Sequence, residues 1–84
     1  MNENKIKKIE IYSTPTCHFC NMAKDWFKEK GLAYTEYDVA KDIQKRKEMV
    51  ELTGQLGVPV IKIGEEVLIG FNPNKISEAL SSKN

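Results

Sequence analysis

Apolar and polar residues alternate from Lys5 to Tyr12, where Ile6, Ile9, Ile11 and Tyr12 stand among charged neighbours, and this pattern predicts a first strand. Ser13 to Thr16 breaks it. From His18 the period lengthens. Cys20, Ala23 and Phe27, with Met22 and Trp26 beside them, recur at helical spacing as far as Lys30, and Gly31 supplies the stop. Alternation returns over Ala33–Val39, which reads as a second strand beside the first. Asp42 stands where an N-cap belongs. Ile43, Met49, Val50 and Leu52 read as the inner side of a charged second helix closed by Gly54. Val58–Ile63 and Val67–Ile69, joined by Gly64-Glu65-Glu66, read as a β-hairpin. A last helix from Pro73 to Leu80, capped by Asn72 or Asn74, turns Ile76, Ala79 and Leu80 inward, and Ser81–Asn84 reads as a frayed tail.

The predicted order is therefore β-α-β-α-β-β-α in an α/β fold. A chain of 84 residues has room for one core, so residues 1–84 read as a single domain. Composition agrees, with 40% hydrophobic and 30% charged residues and no stretch approaching the apolar length of a membrane span. A formal net charge of +1 gives no general pull toward nucleic acid or anionic lipid, so neither is expected as a partner. Residues 1–8 carry lysines but no apolar segment or cleavage site of an export signal, which points to a cytoplasmic protein. A monomer is expected.

Two cysteines are too few for a disulfide-stapled secreted domain. By themselves they read equally as ordinary thiols or as a reactive pair, and position has to decide. Thr14-Pro15-Thr16-Cys17-His18-Phe19-Cys20 lies at the exit of the first strand and the start of the first helix. First-turn amides and the helix macrodipole stabilise an anion there, so Cys17 is the expected nucleophile, available as a thiolate. Cys20, one turn further on nearly the same face, is the expected resolving thiol. Thiol–disulfide exchange between them needs no bound metal or organic cofactor.

With these residues in place the chain resembles the glutaredoxin family of the thioredoxin-like superfamily, from about Ile6 to Leu80. The motifs are Cys17-His18-Phe19-Cys20, Gly57-Val58-Pro59 opening the third strand, and Gly70-Phe71 after the fourth. The resemblance implies a four-stranded mixed sheet flanked by helices, and a dithiol–disulfide oxidoreductase acting on protein or mixed disulfides. It also implies a cis peptide before Pro59, against the redox cysteines, with Val58 offering its backbone to a bound peptide or glutathione. The substrate-binding candidates it implies are Thr14, His18, Phe19, Val58, Pro59, Gly70 and Phe71. Electrons would come from glutathione or from NADPH-linked thioredoxin reductase.

Departures from the family pattern sharpen the choice. His18 and Phe19 replace the usual proline and tyrosine, Thr14 stands where glutathione-using members have lysine, and Asn72-Pro73 stand where acidic residues are usual. Gly70-Phe71-Asn72-Pro73 is similar instead to the Gly-Phe-x-Pro segment of NrdH-type redoxins, which take electrons from thioredoxin reductase and pass them to ribonucleotide reductase. His18, if protonated, would stabilise the Cys17 thiolate; otherwise it simply faces solvent. Phe19 either forms an apolar rim for partners or tucks against the protein. Trp26 and Phe27 read as packing residues, and Lys41–Lys47 with Glu48 and Glu51 as a solvated helix face. Cys-x-x-Cys is also half of a zinc site, but beyond it only His18 and carboxylates remain, so a structural zinc would require a dimer or an unusual ligand set, and an iron–sulfur-bridging relative would carry serine where Cys20 stands.

Overall fold

The computed structural model describes residues 8–81. It contains β1 (Ile9–Ser13), α1 (His18–Glu29), β2 (Thr35–Asp38), α2 (Ile43–Thr53), β3 (Val60–Ile63), β4 (Glu66–Ile69) and α3 (Pro73–Ser81). The strands form one mixed sheet in the order β2-β1-β3-β4. β1 runs parallel to β2 and antiparallel to β3, and β3 runs antiparallel to β4. β1 is thus an inner strand, and the loop that leaves it emerges between β2 and β3.

Alternation along the inner strands sorts the core into two layers. Ile9 and Ile11 of β1 and Ile61 and Ile63 of β3 pack with Ala23 and Phe27 of α1 and Ile76 and Ala79 of α3. Tyr12 and Val60 point the other way and pack with Val39 and Met49 of α2. Helices therefore flank the sheet as the resemblance implies, with α1 and α3 on one face and α2 on the other. Asn72 is the residue that caps α3, its Oδ1 accepting the Lys75 amide at 3.3 Å, whereas Asn74 lies inside the helix.

Several boundaries differ from the sequence reading. Ser13 does not break β1 but ends it, fully buried, because its hydroxyl finds an acceptor on Glu36 at 3.0 Å. β2 is shorter than Ala33–Val39, and Val39 is buried just beyond the last paired residue, Asp38. β3 begins at Val60 instead of Val58, since Pro59 has no amide for the ladder. Glu66 pairs with Ile63, so the hairpin turn shrinks to Gly64-Glu65. In α2 only Met49 is buried, while Ile43 is 60% and Leu52 is 43% exposed. At 3.6 residues per turn Leu52 sits about 160° around the helix from Val50, so the four apolar positions never formed one stripe. Ser81 belongs to α3; the predicted strand residues 5–7 and tail residues 82–84 lie outside the described residues.

Candidate active site

The reactive loop is built by local hydrogen bonding. Beyond Ser13 the Thr14 carbonyl accepts the Cys17 amide at 3.3 Å, closing a turn across Pro15 and Thr16. Cys17 then adopts the extended conformation of an N-cap, and its carbonyl accepts the Asn21 amide at 3.2 Å as α1 starts. Its sulfur accepts the Cys20 amide at 3.1 Å. A side-chain acceptor at the N-cap ordinarily belongs to serine, threonine, aspartate or asparagine. Here sulfur takes the place, so an orphan helix amide points at the atom on which negative charge would develop.

The two thiols, both free, stand in different surroundings. Cys17 is half-exposed, whereas Cys20 is fully buried. Burial pushes the Cys20 thiol up to about 12, and its contact with the Cys17 sulfur adds to this; the Thr14 backbone and Lys24 pull the other way. At neutral pH Cys20 therefore holds its proton while Cys17 faces solvent.

Two further segments carry the other residues to which the sequence points. The Val58–Pro59 peptide is cis, as the sequence predicts. Pro59 is buried directly before Val60, whose partner Tyr12 lies two residues ahead of Thr14 on β1. The Pro59 carbonyl accepts the Gly70 amide at 2.8 Å, and Gly70 has a φ of +88°, a conformation open to glycine. This bond joins the proline segment to Gly70-Phe71. Phe71 is half-buried, its ring edge-on to Trp26 at 6.4 Å between centroids, so it fastens that segment to α1. His18 and Phe19 occupy the first turn of α1 and are both exposed, their rings edge to face at 5.6 Å. Phe19 is 57% exposed and so does not tuck against the protein.

A polar cluster beside this site escaped the sequence reading. Glu36 Oε2 receives the Lys24 ammonium at 2.7 Å and the buried Ser13 hydroxyl at 3.0 Å, tying α1 to both β1 and β2. The one local clue was the spacing of Lys24, four residues after Cys20. Among the described residues no group of three or more His, Cys, Asp or Glu converges to hold a metal ion. No helix among them is long and apolar enough to cross a membrane.

Comparison with known proteins agrees with this architecture. The family model described as glutaredoxin matches residues 9–68. An uncharacterized glutaredoxin-like 8.6 kDa protein in the rubredoxin operon of Clostridium pasteurianum is 42% identical over 72 residues, 86% of this chain and 96% of that one. Glutaredoxin 3 of Escherichia coli is 34% identical over 62 residues, 74% of this chain and 75% of that protein. The crystal structure of the thioredoxin-like protein BC3987 superposes with a TM-score of 0.80 at 34% identity, covering 87% of this chain and all of that one. The chain belongs to the glutaredoxin family, within the thioredoxin-like superfamily.

Proposed function

We propose that this protein is a dithiol–disulfide oxidoreductase that reduces protein or mixed disulfides, with Cys17 as nucleophile and Cys20 as resolving thiol. The observation that carries this reading is the asymmetry of the pair: a half-exposed sulfur holding a helix amide, one turn from a buried, protonated thiol. In the first step the Cys17 thiolate attacks a substrate disulfide. A Cys17–substrate bond forms, the substrate S–S bond breaks, and the leaving sulfur takes the electron pair and then a proton from solvent. In the second step Cys20 attacks Cys17, giving the internal disulfide and releasing the second substrate thiol. Thr14, His18, Phe19, the Val58 backbone and Gly70 would form the surface on which the substrate lies, with the buried Pro59 fixing the course of the chain after Val58 and Phe71 packed on Trp26. A reducing cytosol is the compartment in which such a pair works as a reductant.

A second reading concerns the electron source. The side chains of Thr14 and Asn72 are neutral, and that of Asn72 is occupied in capping α3, so neither supplies the charge that would hold the ends of glutathione. That observation favours an NrdH-type carrier, reduced by thioredoxin reductase and serving ribonucleotide reductase. The deciding experiment reduces the oxidised protein in parallel with NADPH and thioredoxin reductase, and with NADPH, glutathione and glutathione reductase. Rapid reduction by thioredoxin reductase alone supports the NrdH-type reading. Efficient turnover only with glutathione contradicts it and makes the protein a glutathione-dependent glutaredoxin. Failure of both systems to sustain disulfide reduction contradicts the dithiol reading itself.

A further inference from the structure

Burial sets the resolving thiol a problem. Only a thiolate attacks a disulfide, yet Cys20 is enclosed and holds its proton far above neutral pH. Once Cys17 is joined to substrate its sulfur carries no charge. Two groups favour a Cys20 thiolate, the Thr14 backbone by hydrogen bonding and, less strongly, Lys24, which is the one that brings a full positive charge.

Lys24 stands four residues after Cys20 and rises from the same face of α1. Its side chain is only 17% exposed, and its ammonium lies 2.7 Å from Glu36 Oε2 on β2. The same oxygen accepts the hydroxyl of Ser13, which is fully buried at the end of β1, four residues before Cys17. Two strands thus fix the lysine head group. The Glu36 hydrogen bond, more than any other influence, raises the Lys24 pKa and keeps the side chain cationic; the Lys24 hydrogen bond in turn holds Glu36 below the usual carboxylate range. The Lys24 charge favours ionised Cys20, and Cys20 reciprocally favours protonated Lys24. The other titratable groups bearing on this cluster are Cys17 on Cys20, Tyr34 on Lys24 and Lys28 on Glu36.

We propose that Lys24, held by Glu36 and Ser13, is a positioning residue for the second half of the exchange, its ammonium stabilising the Cys20 thiolate that attacks the Cys17 mixed disulfide. This role rests on the dithiol function proposed above. The Cys20 proton passes to solvent, the Cys20–Cys17 bond forms, the Cys17–substrate bond breaks, and its electron pair leaves on the substrate sulfur, which is protonated from solvent. Lys24 keeps its proton throughout.

The test mixes the reduced full chain with one equivalent of a bis(nitrobenzoate) disulfide in a stopped-flow instrument. The first release of coloured thiol reports attack by Cys17 and the second reports attack by Cys20. Lys24→Met should slow the second release roughly three- to tenfold near neutral pH and move its pH profile upward, leaving the first release unchanged. Lys24→Arg should restore most of the rate. Lys24→Gln repeats the measurement with a polar replacement, and circular dichroism confirms that each variant is folded. A second release with unchanged rate and pH profile, or an equal change in both releases, would overturn the role. The dithiol function stands or falls separately, on the paired reductase assay.

Discussion

Helices α1 and α2 start with the same hydrogen bond, made by different atoms. In α1 the Cys17 sulfur accepts the Cys20 amide at 3.1 Å; in α2 Asp42 Oδ1 accepts the Lys45 amide at 3.1 Å. Aspartate is among the strongest caps and cysteine is not. The bodies of the two helices differ in the opposite sense. α1 buries Cys20, Ala23 and Phe27, and Phe27 is the largest of the fully buried side chains. α2 buries only Met49, with Val50 half-buried, and adds polar contacts along its side, Lys45 lying 3.2 Å from Glu48 within the helix and 4.2 Å from the centre of the Tyr37 ring. A helix anchored along its length can give its first position to a reactive atom. One with a single buried side chain has more need of a good cap.

The largest effect is expected where the cap is the chemistry. Cys17→Ser should abolish disulfide reduction, a loss of about a thousandfold or more in turnover, because no thiolate remains to attack. The same variant should melt no lower than the wild type, since serine caps as well or better. A clear drop in melting temperature would mean that the sulfur also stabilises the helix. Next in size is Phe27→Ala, which empties the space between α1 and the sheet and should cost about 3–5 kcal/mol in denaturant titration. Against a total of roughly 5–15 kcal/mol for a small domain that is a severe loss. Asp42→Ala should cost about 1 kcal/mol with disulfide reduction unchanged. Ile43→Ala, on the exposed side of α2, should fall within about 0.5 kcal/mol of wild type in the same titration. A larger cost there would show that α2 is packed more tightly than the contrast with α1 requires.

Much of this was legible in the sequence. The alternation of Ile9 and Ile11, the helical recurrence of Cys20, Ala23 and Phe27, and the hairpin after Pro59 are local patterns, and each produced the predicted element. The placing of Cys17 and Cys20 at a strand-to-helix junction came from the same patterns. The errors have physical causes. The apolar residues of α2 were grouped by type without regard to angle, so exposed Ile43 and Leu52 were turned inward. Ser13 shows no local sign of its place in the strand, since the carboxylate that satisfies its hydroxyl is 23 residues away. Lys24 reaches Glu36 across 12 residues, and Tyr12 donates to Glu48 across 36. Polar pairs at such separations leave no local period, and they appear only when the strands are brought together.

In the proposed mechanism attack begins at Cys17 and ends at Cys20. This order is read out by incubating the Cys20→Ser and Cys17→Ser variants with a disulfide-bonded protein substrate and mapping covalent adducts by peptide mass spectrometry. Cys20→Ser should accumulate a reducible mixed disulfide on Cys17, while Cys17→Ser should accumulate none. Capture of substrate by Cys20 in the Cys17→Ser variant, or failure of Cys20→Ser to trap any adduct, would contradict the mechanism.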